Sequence, residues 1–307
     1  MSGVLSGFYI VWAIIAVGWA VGRTGVLGEN SRLVLNRVTF FVCSPALVLT
    51  ALLDSDPAAI VGPAFWVAGI SGLTTGVILV ALVRLLTARR GADVVITAIS
   101  GSVVNGANMG FPIAAYVLGD VSHALPVILF QQAVFTPLYL FVLHAVTSDD
   151  RPSVTAVVRN IAANPTIIAT AVGMTLVLAD VPIPEVALEP VGTLAQMAIP
   201  AMLLAFGISL IGARPLSAGE GYRGLILLAT AAKLALMPAV ALGLGLLWGL
   251  QGHALFAVVV MAALPTAQNV FVAASRYEAA EPLARDTVLV TTVGTVLTLL
   301  LVSAVLA

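Results

Sequence analysis

The chain has 307 residues, of which 61% are hydrophobic and only 9% charged, with a net charge of -1 and a single cysteine, Cys43. So little charge cannot solvate the outside of a soluble domain with so much apolar surface, and the chain reads as an all-α polytopic membrane protein built as one integrated bundle. The same figures exclude the basic patch of a nucleic-acid binder, an intrachain disulfide and a cysteine-based metal site.

Runs of about 20 apolar residues are long enough to cross the hydrocarbon as helices. The first, at 4–22, has no basic residue ahead of it and no small-residue cleavage site, so it reads as a span and not as a removed signal peptide. Others follow at 31–53, 60–86, 94–119, 123–147, 164–180, 188–212, 222–250, 253–276 and 284–306, which makes ten. The charges order them. The twelve arginines are Arg23, Arg32, Arg37, Arg84, Arg89, Arg90, Arg151, Arg159, Arg214, Arg223, Arg276 and Arg285, and all fall at connections 1–2, 3–4, 5–6, 7–8 and 9–10. The intervening connections carry Asp54, Asp56, Asp120, Asp180, Glu185, Glu189 and His253, without lysine or arginine. By the positive-inside rule the arginine face is cytoplasmic and both termini lie outside the inner (cytoplasmic) membrane.

Span four contains "NGANMGFPIAAYVLGD", with Asn105, Gly106, Asn108, Gly110 and Pro112 near its middle, and span nine contains "LPTAQN", Leu264 to Asn269. Proline removes an amide and blocks the carbonyl one turn back, so the helices are expected to open at Asn105 to Pro112 and at Leu264 to Asn269. Backbone freed at membrane depth must be buried in protein or line a cavity. Half-helix N-termini then favour an anion and open carbonyls a cation. Asn105, Asn108, Thr266, Gln268 and Asn269 add oxygens that suit a sodium ion; the competing reading is a pair of ordinary kinks with amides as interhelical glue. In span eight, Lys233 lies ten residues past Arg223, roughly 15 Å into the membrane. It is either a fixed cation near a site, standing in for a coupling ion, or an ammonium paired with carbonyls inside the bundle.

The halves at 1–147 and 157–307 repeat. "SPALVLTALL" overlies "IPAMLLAFGI" at a spacing of 155, with Pro45 on Pro200 and Gly18 on Gly173. "GANMGFPIAAYVLGD" overlies "LPTAQNVFVAASRYE" at 158, with Asp120 on Glu278. Five spans per half is an odd number, so the second copy is inverted, as in secondary transporters.

In their order along the chain, "GRTGVL", "LNRVTFFVCSPALVLTAL", "NGANMGFPIAAYVLG", "NPTIIATAVGM", "AIPAMLLAFGISL", "KLALMPAVAL" and "ALPTAQNVFVAASRYE" resemble the auxin efflux carrier family. That family takes in plant PIN-type exporters and bacterial malate and malonate permeases, and its fold is similar to that of bile-acid sodium symporters. The resemblance implies a scaffold of spans 1, 2, 6 and 7, through which a homodimer forms, and a moving transport domain of spans 3–5 and 8–10. It implies that spans four and nine cross at their breaks, placing Asn108, Met109, Gly110, Phe111 and Pro112 against Pro265, Thr266, Gln268 and Asn269. The plant exporters carry a long hydrophilic loop between the halves; here residues 147–164 are a short connection, so that loop's regulation is not expected.

No Walker A pattern or HExxH is present, and His123, His144 and His253 fall near span ends, so neither an ATPase nor a metalloenzyme is expected. All fourteen acids map to connections or helix ends, which leaves a buried-carboxylate proton relay without parts. The expectation is a secondary active transporter for a small organic anion, a carboxylate by resemblance, dipoles and Lys233. It needs no cofactor beyond an optional sodium ion. A channel or membrane sensor without coupled transport is the alternative.

Overall fold

The computed structural model describes residues 2–28, 30–55, 61–148, 153–212 and 220–306, with side chains from residue 6 onward except those of 107 and 220. Asp56, Arg151 and Arg214, used above to order the connections, lie outside the described residues. Those residues are helical, and the single departure toward β structure is an isolated antiparallel bridge between Val104 and Thr266.

The helices are α1 (Ser2–Arg23), α2 (Ser31–Leu53), α3 (Pro63–Leu86), α4 (Ala92–Ser100), α5 (Asn108–Leu118), α6 (Val121–Thr147), α7 (Val154–Ala162), α8 (Pro165–Leu178), α9 (Glu185–Ser209), α10 (Arg223–Leu247), α11 (Gly252–Ala262), α12 (Gln268–Arg276) and α13 (Glu281–Leu306). Seven of them (α1, α2, α3, α6, α9, α10 and α13) are long and apolar enough to cross a membrane, or eight spans if the bent pair α7 and α8 counts as one. The predicted span four emerges as α4 and α5, and span nine as α11 and α12. Helix α7 was not expected, because the 147–164 connection reads as a loop.

The breaks do not fall where the prolines alone put them. In span four the non-helical stretch is Gly101 to Asn105, and Pro112 sits inside helix that resumes at Gly106. In span nine it is Ala263 to Ala267, so Gln268 and Asn269 already belong to α12. The two breaks are therefore 162 residues apart, not 158. A shift of four residues is close to one helical turn, and an apolar pattern of period 3.6 matches itself nearly as well after it.

The chain forms two compact units: unit 1 is Met1–Gly62, Asn108–Pro126 and Arg159–Ala213, and unit 2 is Pro63–Ala107, Val127–Val158 and Arg214–Ala307. Within unit 1 small residues let helices meet backbone to backbone. A Cβ on Gly18 of α1 would come within 2.5 Å of the Leu204 carbonyl of α9, and Gly207 lies against the same Gly18. A Cβ on Gly173 of α8 would come within 3.2 Å of both Leu49 and Leu52 of α2. Leu204 and Gly207 lie 155 residues after Leu49 and Leu52, the same spacing that relates Gly18 to Gly173. The turns that end α1 and α8 also correspond, with left-handed residues at Gly25 (φ 74°) and Asp180 (φ 49°), again 155 apart. Unit 2 is centred on buried Val83, Ile96, Leu143, Ile226, Val270 and Leu283 from six helices.

Four helices widen to a π-turn just before a proline: Thr39–Cys43 before Pro45, Gly106–Gly110 before Pro112, Gln131–Phe135 before Pro137 and Ala232–Leu236 before Pro238. The residue preceding Pro45, Pro137 and Pro238 donates its amide five residues back: Ser44 to Thr39, Thr136 to Gln131, Met237 to Ala232. Proline cannot donate and crowds the carbonyl four residues before it; the wider turn relieves that clash without ending the helix.

Candidate functional site

The site is built from backbone that unit 2 takes out of helix and then satisfies. Leu264 precedes Pro265, which disfavours its helical conformation and drives α11 to end. On the other segment, a Cβ at Gly101 would meet Leu79 and the carbonyl of Ala229, so only glycine fits that close approach at the end of α4. The two extended stretches pair antiparallel around Val104 and Thr266. The Asn105 amide donates to the Pro265 carbonyl at 2.8 Å and the Ala267 amide to the Val103 carbonyl at 3.1 Å.

Side chains complete the pairing. Gln131, in the π-turn of α6, accepts from the Val104 amide through Oε1 at 2.8 Å and donates to the Val104 carbonyl through Nε2 at 3.0 Å. Its amide thus acts as one residue of a third strand. The Thr266 amide donates to Thr291 Oγ1 at 3.1 Å, and the Thr266 hydroxyl donates to the Ser100 carbonyl at the end of α4. Thr295 Oγ1 donates to the Ala263 carbonyl at 2.9 Å. Thr266, Thr291 and Thr295 are fully buried, where an unmet backbone group costs about 1–3 kcal/mol.

Lys233 is also fully buried, and its Nζ donates to the Ala262 carbonyl at 2.7 Å and contacts Met237 Sδ at 3.3 Å. Ala262 is the last residue of α11, so the Lys233 Nζ sits at the negative end of the half-helix dipole. Of the two sequence readings of this lysine, pairing with a bundle carbonyl is the contact present.

The other expected site residues divide between the units. Asn105, Pro265 and Thr266 are buried beside the pairing in unit 2, with Gln268 half-buried and Asn269 exposed on the first turn of α12. Asn108, Met109, Gly110, Phe111 and Pro112 belong to unit 1, where all but the half-buried Asn108 are buried. Helix α12 starts behind an extended N-cap, Ala267 (ψ 139°), whose methyl group cannot act as a side-chain cap. Among the described residues no three His, Cys, Asp or Glu side chains gather as a metal site would need.

Sequence reasoning missed Gln131, Thr291 and Thr295. Thr287, Thr291 and Thr295 do repeat every four residues on one face of α13, and that polar stripe is the signal that marks them. It also missed the burial of Asp286, assigned to a helix end. That carboxylate is in the second turn of α13 with no side-chain exposure, and Arg285 Nε is 3.0 Å from its Oδ1.

Where unit 2 carries its arginines, Arg89 donates to Asp93 at 2.7 Å and to the Gly221 carbonyl at 2.8 Å, and stacks 4.9 Å from the Tyr222 ring. The Asp93 hydrogen bond raises the Arg89 guanidinium further above its ordinary range, and burial together with the Asp93 charge pushes the Tyr222 phenol up. The cluster ties the residues before α10 to the start of α4.

Residues 7–303 match the family described as membrane transport protein. A protein of Rhizobium meliloti (strain 1021) that bears the name "Putative malonate transporter" is 32% identical over 214 residues, covering 67% of this chain and 65% of that relative. The match therefore spans just under two thirds of the relative's length.

Proposed function

Since the chain belongs to this membrane transport protein family, the one that takes in the auxin efflux carriers, we propose that it carries a small organic anion by alternating access of an elevator type. The substrate class is a short carboxylate, with malonate the first to test because the Rhizobium relative bears that name. The observation that carries the reading is the start of α12, which has an alanine at its N-cap and follows directly on a break whose extended backbone is paired within unit 2. The positive end of a helix dipole attracts negative charge, and Asn269 stands exposed on that first turn.

Ten spans in two inverted five-helix repeats fit this reading. Support comes from the unit 1 packing pairs, Gly18 with Leu204 and Gly207 and Gly173 with Leu49 and Leu52, and from the left-handed turns at Gly25 and Asp180, each related by 155 residues. In the proposed cycle the arginine-bearing face is cytoplasmic, and the unit holding α3, α4 and α10 to α13 moves with the substrate. Sodium is not required. The carbonyls of Ser100, Val103, Val104, Ala262, Ala263 and Pro265 each accept a bond from this chain, and Lys233 already supplies a positive charge at the break.

Counterflow uptake of labelled malonate and other short mono- and dicarboxylates into proteoliposomes tests the proposal. Saturable uptake is expected, with Asn269→Ala lowering it roughly 5- to 150-fold, the cost of about 1–3 kcal/mol for one lost ligand bond. Linear, non-saturating flux of every acid tried, unchanged by the variant, would point to a channel instead.

A further inference from the structure

We infer that helix α7 (Val154–Ala162) lies in the headgroup boundary of the bilayer, its apolar face against lipid, and so anchors the connection between the two units at the membrane surface. At 100° per residue, Val154, Val157, Val158 and Ile161 share one arc about 100° wide, while Thr155, Ala156, Arg159 and Asn160 occupy the opposite arc. None of the nine residues is buried, and Val154 and Val158 are 65% and 58% exposed. Val157 and Ile161 are half-buried, so among the described residues the protein covers this apolar face only in part.

Its occupant is set by where the helix is attached. Helix α7 continues through Ala163 and Asn164 into α8, an apolar helix of 14 residues, with an angle of 61° between them. The bend is built in. Pro165 cannot extend α7, and the Asn164 side chain caps α8 by accepting from the amides of Thr166 at 3.0 Å and Ile167 at 3.4 Å. With α8 near the membrane normal, α7 lies within about 30° of the plane, and an ordinary tilt of α8 brings it into the plane. Nine residues rise only about 14 Å, too little to cross the hydrocarbon. An amphipathic helix held at that height buries its apolar face in the boundary region and keeps its polar face in water. Arg159 lies on the polar arc, where water solvates its charge. The boundary between the two units falls inside this helix, at Val158 and Arg159.

The inference is independent of the substrate and is tested on the full chain. Nitroxide labels are placed singly by Val154→Cys, Thr155→Cys, Val158→Cys and Asn160→Cys, in a Cys43→Ser background reconstituted into vesicles of neutral and anionic phospholipid. If that background folds poorly, Cys43 is retained, since it is fully buried, and its residual labelling is subtracted. Relaxation by dissolved oxygen should dominate at positions 154 and 158, and relaxation by a water-soluble nickel reagent at 155 and 160. Equal exposure of all four to nickel would place α7 in water, and shielding of all four from both reagents would place it under protein; either result overturns the inference.

Discussion

Two side chains show how single residues make a broken helix affordable inside a membrane. The Lys233 ammonium was legible from its depth alone, since a lone cation about 15 Å from the nearest surface needs a partner. What it bonds was not legible, because a carbonyl at a helix end leaves no mark on sequence. Gln131 was harder still: a glutamine in an apolar run reads as interhelical glue, and only the fold brings Val104 to it. Its geometry demands both a donor and an acceptor. A carboxylate at that position accepts from the Val104 amide but faces the Val104 carbonyl with a second acceptor, and only its protonated form donates. In Gln131→Glu, uptake relative to the unaltered protein should therefore be low near about pH 8 and rise toward about pH 5. A flat ratio across that range, measured by counterflow, would reduce Gln131 to a space-filler.

The element scale is where the sequence misled most. Pro112 predicts a break, yet the helix runs through it by widening to a π-turn, and the chain opens instead at Gly101 to Asn105. Proline signals that a helix must adapt, not whether it opens or widens. The breaks stand 162 residues apart and not 158 for a related reason, as apolar periodicity fixes a face but tolerates a one-turn slip. The 155-residue spacing recurs in the contacts of Gly18 with Leu204 and of Gly173 with Leu49 and Leu52, where close approach at a glycine leaves little room for a slip. Those contacts make a graded prediction. A Cβ at Gly18 meets main chain of Leu204, which cannot move aside, whereas a Cβ at Gly173 meets side-chain atoms of Leu49 and Leu52, and Gly192 has nothing within 4 Å. Gly18→Ala should destabilise by about 1–3 kcal/mol or more, Gly173→Ala by less, and Gly192→Ala not at all. Reaction of the buried Cys43 thiol with a maleimide on heating reports unfolding in each case. Equal melting of all three variants would contradict the packing described.

At the scale of the molecule, hydropathy placed the helices well: the apolar runs are helical apart from the breaks at Gly101 to Asn105 and Ala263 to Ala267, and the ends agree within a few residues for α3, α6, α10 and α13. The grouping of those helices into two units, the extra helix α7 and the burial of Asp286 depend on long-range packing, which hydropathy does not encode. In the proposed cycle unit 2 binds an organic anion at its pinned break, with Lys233 in place of a coupling ion. The direct measurement is equilibrium binding of the best-transported acid to purified protein in sodium-free and sodium-containing buffer, for the unaltered chain and for Lys233→Met, which keeps the stem and volume but not the charge. Expected is saturable binding that ignores sodium and weakens at least about tenfold in Lys233→Met, roughly 1.4 kcal/mol, while the thermal exposure of Cys43 shows the variant folded. Binding that requires sodium, or that is unchanged in a folded Lys233→Met protein, would contradict it.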